Sequence, residues 1–520
     1  MNQREDKRTP PLNGRSATII SRRTLAAFAL AAVGVAACDQ GGGQGGGQTG
    51  AQAPAPAQGP AQGQAGPAAA DTPFAPRESQ AMLQALVQAP SQGFAPGAFG
   101  DLGRIASLVA STDAASQAQG QRKLRAAIIK YARAQHGLGL PTDQFPKEWG
   151  IRPPRYDADL ELRTAQGAHR IADWLASLPP PAPRYQELVK ALAAYRAIAS
   201  RGGWSMLEAK GRLARGARGS RVEALRQRLA VEDPSAASAA AGGVFDDALS
   251  QAVSRFQTNH QVDATGEVGP QTWEALNVPV QTRIDEIRAN LERWRWLPRN
   301  PPATRIEVDA ASDTMDLYQD GKDVLHMLAA AGKPDDQTPM LISKITDIKF
   351  NPPWLIPADI AQKEEWPKEK RDHGYFDREE IVKGPSAAAP LMQKAGPKSA
   401  LGQVKFEFDN AYGVYLHDTP SRAAFGRDQR EVSHGCVRLQ RAVDLAKVLL
   451  KGVPDWSPDQ IDQLIATDNT KTVNLPQPVP VMILYWTAFV QDGQVVFGRD
   501  PYGWDDILVR LLDAAAPSPA

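Results

Sequence analysis

The hydrophobic pattern of this 520-residue chain changes its period near Thr304, and the change limits the folds that the chain can adopt. Before this point, apolar residues recur three or four positions apart, as they do on one face of an α-helix. After it, apolar residues such as Ile306 and Val308 alternate with polar ones, which is the period of a half-buried β-strand. The sequence therefore predicts a multidomain α+β protein, with helical domains first and a mainly β domain last.

Residues 1–38 are typical of an export signal. Basic residues precede the apolar run Leu25 to Ala37, which is too short to form a stable membrane-spanning helix. Arg22-Arg23 lies in a stretch that resembles a twin-arginine export motif, although any basic leader could hold such a pair. The run that ends at Cys38 resembles a bacterial lipobox, in which Cys38 becomes the lipidated first residue. Cleavage without lipidation is the alternative.

Residues 39–75 are predicted to be a disordered tether. Positions 41–70 contain only Gly, Gln, Ala, Pro and one Thr, so this stretch cannot bury apolar surface. As a flexible coil it would span on the order of 30 Å. Such a tether suits a folded part that reaches away from a membrane, and a simple spacer is the alternative.

Helical patterns continue from the tether to the change of period. Residues 100–205 are predicted to be a helical scaffold domain, and residues 207–280 a compact three-helix unit. Residues 281–302 are predicted to be a linking helix. Its apolar face is formed by Ile284, Ile287, Leu291 and Trp294.

The three-helix unit resembles the peptidoglycan-binding domain of cell-wall enzymes. The residues that carry the resemblance are Phe245, Ala252, Val253, Phe256, Gln257, Gly266, Val268, Gly269, Thr272, Trp273, Leu276 and Asn277. Most of them are apolar or form turns, so they indicate the fold more than a bound ligand. Binding is what the resemblance implies, and such modules also serve only as scaffolds.

Residues 303–505 are predicted to form the mainly β domain. Asp320-Gly321 separates two alternating runs and is a strong signal for a hairpin turn. Residues 352–400 are too long for an ordinary loop, so we interpret them as a capping insertion over a functional site. A surface excursion without function is the alternative. Residues 506–520 are predicted to be a C-terminal tail.

Cys436 is the candidate nucleophile, because the other of the two cysteines, Cys38, already has an export explanation. A thiol attacks carbonyls as the thiolate, and a free cysteine with a pKa of about 8.5 is scarcely ionised at neutral pH. It therefore needs a base or a cationic neighbour. His417 ends a strand-like run and can supply the base.

The glycine beside Cys436 suggests how an intermediate would be stabilised. Gly435 allows the backbone N–H groups of Gly435 and Cys436 to turn toward a ligand and stabilise an oxyanion. The other ring nitrogen of His417 needs an acceptor, for which the carbonyl of Asp418 or Thr419 and the Asp418 carboxylate are candidates. Two other interpretations remain open at this point. Cys436 could be a buried structural thiol, or it could bind zinc together with His417 and His434.

Two stretches, Tyr415–Pro420 and Ser433–Arg438, resemble the L,D-transpeptidase family of bacterial cell-wall enzymes. Further stretches that resemble the large periplasmic branch of this family are Thr338-Pro339, Asn351-Pro352-Pro353-Trp354, Pro357, Gly396-Pro397, Ala400-Leu401-Gly402 and Val404-Lys405-Phe406. That branch also carries a helical scaffold and a peptidoglycan-binding domain. The resemblance therefore covers roughly residues 100–505.

The resemblance implies a mechanism. Cys436 attacks the carbonyl of the third residue of a tetrapeptide stem, and the terminal D-alanine leaves. An amine of another stem then takes the acyl group, which gives a 3-3 cross-link. His417 is the implied general base, no metal or organic cofactor is needed, and carbapenems acylate members of the family.

The resemblance also implies roles for other residues of the two stretches. Arg438 and His434 match motif positions, where we expect them to shape the site and to place substrate charge. Ser433 is expected to orient the loop. Tyr415 and Trp354 are expected to line the groove, with core packing as the alternative for Tyr415.

Two departures from the branch affect the expected specificity. Ser399 stands where the branch often has an asparagine, and Arg430-Glu431-Val432 precedes the motif where a smaller residue is more usual. They leave the preference for donor or acceptor stem open. Water as acceptor would make the protein an L,D-carboxypeptidase. The other rivals are a transferase that attaches a wall protein to stems and a non-catalytic wall-anchoring lipoprotein.

The expected partners follow from these interpretations. They are peptidoglycan stem peptides and glycan, and a membrane through the N-terminal lipid. The net charge of +1 gives no whole-chain attraction for nucleic acid. The expected location is the periplasm, with the protein anchored to a membrane by its lipid.

Overall fold

The computed structural model describes residues 68–69, 71–238, 243–384, 390–427 and 429–515. The predicted export signal, the lipidation site Cys38 and most of the predicted tether lie outside the described residues. Within the described ranges, no helix combines the length and the apolar character that a membrane span requires.

The N-terminal part of the described chain is helical. Its helices are α1 (Pro76–Gln88), α2 (Leu102–Val109), α3 (Ala114–Gln135), α4 (Ala158–Gly167), α5 (Ile171–Ser177) and α6 (Pro183–Ser200), with short 3-10 turns at Ala89–Gln92 and Thr142–Gln144. The side chain of Asp113 begins α3 by accepting a hydrogen bond from the Ser116 N–H. Gly120 allows α3 to pack against α2, because a Cβ there would lie 2.5 Å from the Val109 nitrogen.

The helices begin before position 100, where the sequence places the start of the scaffold. α1 buries Met82 and Leu86 against Leu124 and Ile128 of α3, so it belongs to the same core. The start at position 100 is therefore too late. The sequence gives little sign that α1 begins here, because its N-cap position is occupied by Ala75 rather than by a polar residue.

The three-helix unit packs around a core of its own. Its helices are α7 (Ser220–Glu232), α8 (Asp247–Asn259) and α9 (Pro270–Leu276), with a 3-10 turn at Pro234–Ser238. Gln257 fixes the turn between α8 and α9, since its side chain accepts from the Gly266 N–H at 2.8 Å and donates to the Glu267 carbonyl at 2.8 Å. The core residues include Val222, Leu225, Leu249, Phe256 and Trp273.

Helix α10 (Val280–Trp296) is buried on nearly all sides, although its sequence predicts a single apolar face. Its apolar residues Ile284, Ile287 and Leu291 pack against α6 and the strand pair near the C-terminus. Its charged residues are paired within the interior: Arg293 lies 2.5 Å from Asp505. Because its charges are neutralised by such ion pairs, this charged helix can be buried between the scaffold and the β domain.

The β domain is a closed barrel with the strand order β1-β11-β4-β8-β9-β10-β3-β2. The strands are β1 (Arg305–Asp309), β2 (Thr314–Gln319), β3 (Lys322–Ala330), β4 (Leu341–Phe350), β5 (Trp354–Leu355), β6 (Ile381–Val382), β7 (Met392–Gln393), β8 (Val404–Phe408), β9 (Leu416–His417), β10 (Val437–Leu439), β11 (Lys471–Leu484), β12 (Ala488–Gln491) and β13 (Gln494–Phe497). Asp320 and Gly321 join β2 to β3 with positive φ angles of 50° and 77°, which confirms the predicted hairpin turn. The predicted α+β fold class is confirmed as well.

The capping insertion is a small subdomain beside the barrel. It contains the three-stranded sheet β5-β7-β6, helices α11 (Ala358–Ile360), α12 (Trp366–Arg371) and α13 (Tyr375–Arg378), and a π-helical turn at Ala361–Glu365. Its own core is formed by Ile356, Ile360, Ala361, Phe376, Ile381 and Leu391.

The segment after residue 505 is not a tail in the part that the structure describes. Helices α14 (Ala442–Leu449), α15 (Pro458–Ile465) and α16 (Trp504–Ala514) pack on the barrel, and a 3-10 turn lies at Arg422–Gly426. Leu508 and Leu512 of α16 recur at helical spacing and are buried in the barrel core. The prediction of a tail from residue 506 is therefore wrong, because this apolar face makes the segment a helix that packs on the barrel.

Candidate active site

Three neighbouring barrel strands bring the two sequence motifs onto one face. Antiparallel β8 and β9 pair Lys405 with His417, and parallel β9 and β10 pair His417 with Arg438. Because side chains alternate along a strand, the adjacent positions face the barrel core. These fully buried core residues are Phe406, Leu416 and Val437.

Cys436 is half-buried in the loop that leads into β10. Burial raises the pKa of its thiol, and the hydrogen-bonding groups of Tyr415 and the charges of Lys405 and Arg438 offset only part of this effect. The resting thiol is therefore protonated at neutral pH. It needs a base before it can attack.

His417, the predicted base, is buried. Burial, reinforced by the nearby charge of Arg438, lowers the pKa of its imidazole to about 3. Its Nδ1 lies 2.5 Å from the carbonyl oxygen of Asp418. A carbonyl oxygen only accepts hydrogen bonds, so Nδ1 carries the proton of the neutral ring, and the Leu401 backbone is a second hydrogen-bond partner of the imidazole. The ring contacts Tyr415 at 5.5 Å between centroids, and Tyr415 also faces Cys436.

The orienting group for His417 is thus the backbone carbonyl of Asp418, one of the open candidates. The Asp418 carboxylate serves the backbone instead. It accepts from the Gln403 N–H at 2.9 Å and lies 2.6 Å from the Arg422 guanidinium. Burial raises the pKa of Asp418, and these contacts lower it in part.

The predicted role of Gly435 as an oxyanion donor is not supported by the geometry. Its N–H donates to the Ser433 hydroxyl at 3.1 Å, and that hydroxyl donates to the Cys436 carbonyl at 2.5 Å. The turn needs glycine, because φ is +101°. Among the described residues, the Cys436 N–H donates to no other group, so it is the available donor.

Thr338 fixes the motif loop from the opposite side, a role that the sequence did not reveal. Its buried hydroxyl donates to the Gly435 carbonyl at 2.9 Å and accepts from the Gly332 N–H at 2.8 Å. Tyr502 donates to the Gly332 carbonyl at 2.7 Å. Thr338 lies in one of the stretches that carry the family resemblance, whereas Tyr502 gave no signal.

His434 does not point toward His417. Its Nε2 lies 2.5 Å from Oε1 of Glu364, in the π-helical turn of the capping insertion. Burial raises the pKa of Glu364, but the bond to His434 and the ammonium groups of Lys368 and Lys333 hold it below its usual range. Sequence analysis missed Glu364, because nothing in its local sequence distinguishes it from the other charged residues of the insertion.

A second contact joins the capping insertion to the site. Trp354 hydrogen-bonds to Tyr415, whose pKa is raised by burial and then by Cys436. Tyr415 is therefore part of the site as well as of the packing around it. Trp354 and Tyr415, both predicted to line the groove, lie together beside Cys436.

The two cations beside His417 differ in their partners. Lys405 lies 2.6 Å from Glu407 and 4.0 Å from the centroid of the Tyr415 ring. Arg438 forms no ion pair within the described residues, and its buried Nε has no hydrogen-bond partner there. Burial lowers the pKa of Arg438, and the nearby Cys436 raises it in part.

The arrangement places Cys436 and His417 around Tyr415, which contacts the imidazole ring and interacts with the thiol. A neutral thiol, a neutral imidazole with a fixed tautomer and a backbone donor provide what acyl transfer through a thioester requires. In the described ranges, no group of three or more His, Cys, Asp or Glu side chains is placed to hold a metal ion.

Sequence profiles of known families match three parts of the chain. The profile of the L,D-transpeptidase catalytic domain matches residues 303–458. A profile described as "Scaffold domain" matches residues 74–192, and one described as "Putative peptidoglycan binding domain" matches residues 218–276.

A protein of Haemophilus influenzae named "Putative L,D-transpeptidase" is 30% identical over 257 residues. The match covers 45% of this chain and 52% of the relative, so the chain spans about half the length of that relative.

Solved structures also show partial likeness. An L,D-transpeptidase from Mycobacterium smegmatis is 17% identical with a TM-score of 0.18, over 35% of this chain and 58% of that one. The catalytic domain of an Enterococcus faecium L,D-transpeptidase acylated by ertapenem is 18% identical with a TM-score of 0.18, over 36% of this chain and 99% of that one.

Proposed function

Because residues 303–458 match the profile of the L,D-transpeptidase catalytic domain, we propose that this chain is an L,D-transpeptidase that cross-links peptidoglycan stems through a thioester on Cys436. The observation that carries the proposal is the arrangement of Cys436 and His417 against Tyr415, with the tautomer of His417 fixed by the Asp418 carbonyl.

In the first half-reaction, Nε2 of His417 takes the thiol proton as Sγ of Cys436 attacks the carbonyl of the third stem residue. A carbon–sulfur bond forms, and the amide bond to D-alanine breaks. The imidazolium then gives its proton to the departing amine. Because burial and Arg438 disfavour a charged imidazole, the proton stays on His417 only briefly.

The Cys436 N–H is the proposed donor to the oxyanion of each tetrahedral intermediate. Thr338 supports this donor by binding the Gly435 carbonyl, which belongs to the same peptide group, and Ser433 supports it by binding the Cys436 carbonyl. In the second half-reaction, His417 accepts a proton from the amine of an acceptor stem. That amine attacks the thioester carbonyl and forms the new amide bond, the carbon–sulfur bond breaks, and the imidazolium returns its proton to the departing sulfur of Cys436.

The three-helix domain and the N-terminal segment fit the same function. The domain is proposed to hold peptidoglycan near the barrel. Residues 1–38 are proposed to direct export to the periplasm, with Cys38 as the lipid attachment point and residues 39–75 as the tether.

Product analysis with purified tetrapeptide stems tests the proposal. Cross-linked dimers with release of D-alanine are expected. Tripeptides without dimers would show that water is the acceptor and would reduce the function to an L,D-carboxypeptidase. The absence of any D-alanine release would favour a non-catalytic wall-anchoring protein.

A further inference from the structure

We propose that Asp313 is a positioning residue for Cys436, and that its carboxyl holds the motif loop (residues 433–436) in place only while it carries a proton. Asp313 lies in the turn between β1 and β2, and its side chain is fully buried. This role rests on the proposed function, because it concerns the loop that presents the proposed nucleophile.

A chain of hydrogen bonds leads from Asp313 to the motif loop. Its Oδ1 accepts from the Ala331 N–H at 2.9 Å, and its backbone carbonyl accepts from the Ala329 N–H at 2.8 Å. The Ala331 carbonyl in turn accepts from the N–H groups of Val432 and Ser433, at 3.0 and 2.9 Å. Asp313 therefore fixes the end of β3, to which the motif loop is hydrogen-bonded.

The last links of this chain reach Cys436. The Ser433 hydroxyl donates to the Cys436 carbonyl at 2.5 Å and accepts from the Gly435 N–H at 3.1 Å. Because the Ser433 N–H is bound to Ala331, a shift at the end of β3 would move the residue that anchors the backbone of the nucleophile. The position of the Cys436 N–H, the proposed oxyanion donor, depends on the same contacts.

The carboxyl of Asp313 is poorly placed to be ionised. Its Oδ2 is buried and has no hydrogen-bond partner within the described residues. A buried oxygen without a partner costs much more in a carboxylate than in a neutral carboxylic acid. The nearly buried carboxylate of Glu431 differs, since it lies 2.8 Å from the Arg499 guanidinium.

The charged and titratable groups that face Asp313 come from the segment before the motif loop and from the segment after β13. Burial raises the pKa of Asp313 to about 7, the charge of Glu431 adds to this effect, and Arg430 and Arg499 offset part of it. Burial also raises the pKa of Tyr502, and the charges of Asp313 and Glu431 add to that effect. Tyr502 therefore stays neutral while Asp313 titrates.

Ionisation of Asp313 would add a second negative charge beside Glu431, in a site of low dielectric where like charges repel each other strongly. Glu431 directly precedes Val432, so this repulsion acts on the segment that leads into the motif loop. We expect it to weaken the hydrogen bonds from Val432 and Ser433 to Ala331. Glu431 also belongs to the stretch in which the chain departs from the branch that it resembles, and the buried cluster gives that departure a role.

The test measures the rate of carbapenem acylation of Cys436 by intact mass between pH 5.5 and 8.5. Wild type, Asp313→Asn and Glu431→Gln are compared. Asparagine retains the acceptor for the Ala331 N–H and cannot ionise. Asp320→Asn is the matched control, because Asp320 is exposed in the β2–β3 turn and asparagine adopts its positive φ readily.

The ratio of the wild-type rate to the Asp313→Asn rate removes the titration of Cys436 itself from the comparison. We expect this ratio to fall by about tenfold from pH 5.5 to 8.5, with a midpoint near pH 7, because one pKa unit of preference for the protonated form corresponds to a factor of ten. Asp320→Asn should follow the wild type. Glu431→Gln should move the midpoint to lower pH, since the loss of the neighbouring charge lowers the pKa of Asp313.

A ratio that stays constant across this range would overturn the proton requirement, because a purely structural role of Asp313 changes the rate equally at every pH. Thermal unfolding shows whether each variant is folded. Where Asp313→Asn does not fold, the rate of Glu431→Gln relative to the wild type carries the test, and an unshifted midpoint overturns the proposal. If the wild type forms no adduct at any pH, the proposed function fails instead, so the two failures are distinguishable.

Discussion

Glu364 of the capping insertion and His434 of the motif loop are in direct contact, with 2.5 Å between Oε1 and Nε2. The insertion has its own hydrophobic core, so polar contacts such as this one join it to the catalytic loop. We therefore predict that Glu364 is a positioning residue, which would act on Cys436 through the loop that carries both His434 and Cys436.

Glu364→Gln should lower kcat/KM for acylation by about tenfold, because the amide keeps the shape of the side chain but loses the charge that strengthens the contact. The change should alter the pH profile of kcat/KM, whereas a purely structural role would shift the melting temperature without changing the profile. Asp359→Asn removes an exposed carboxylate from the same insertion and is the matched control. Equal kinetics for the two variants would remove Glu364 from this role.

The thiol of Cys436 should react slowly at neutral pH. Burial raises its pKa above the ordinary value, so the thiolate fraction should keep increasing above pH 9. The rate of alkylation by iodoacetamide, followed by intact mass from pH 6 to 10.5, measures this titration directly. A rate that reaches its plateau below pH 7 would indicate a preformed thiolate–imidazolium pair.

Asp313 should make the stability of the fold depend on pH. It is fully buried, and burial, reinforced by Glu431, raises its pKa to about 7. A carboxyl whose pKa is raised on folding stabilises the native state below its unfolded pKa and loses that contribution as pH rises through the folded value. Between pH 4 and 8 the wild type should therefore lose about 1–3 kcal/mol relative to Asp313→Asn.

Denaturant unfolding of both proteins at several pH values checks this difference. The neutral asparagine retains an acceptor for the Ala331 N–H, which lies 2.9 Å from Oδ1 in the wild type. Parallel stability curves for the two proteins would contradict the assignment.

Gly332 should tolerate no side chain. A Cβ there would lie 2.0 Å from the Asp336 carbonyl oxygen, in the segment that Thr338 and Tyr502 hold against the motif loop. Gly332→Ala should lower the free energy of unfolding by about 1–3 kcal/mol, as overpacking usually does. Gly426→Ala, whose Cβ would meet no atom within 4 Å, should remain close to the wild type in a melting experiment. Similar melting temperatures for the two variants would refute the packing argument.

Much of the fold followed from hydrophobic period and turn chemistry. The hairpin at Asp320-Gly321 needs two residues with positive φ, and this pair of residue types signals that requirement locally. The burial of α10 on all sides could not be predicted in the same way. It depends on partners distant in sequence, such as Asp505 for Arg293.

The residues of the candidate site also fall into those that the local sequence indicates and those that only the fold brings together. Cys436 and His417 were predicted as catalytic residues because reactive residue types lie in stretches that resemble a known family, and the fold brings both next to Tyr415. Glu364 and Tyr502 could not, since only the folded chain brings them to the motif loop. The predicted oxyanion role of Gly435 rests on the flexibility of glycine, which is visible in the sequence, whereas only the fold places the Ser433 hydroxyl as the acceptor of the Gly435 N–H.

The most direct test of the central claim is intact-mass analysis of acylation by a carbapenem. Wild type, Cys436→Ala and His417→Ala are compared, with His326→Ala as a control because His326 is exposed and paired with Asp316. The account predicts one adduct on Cys436 in the wild type and in His326→Ala, none in Cys436→Ala, and strongly slowed acylation in His417→Ala. An adduct on Cys436→Ala, or acylation of His417→Ala at the wild-type rate, would contradict it.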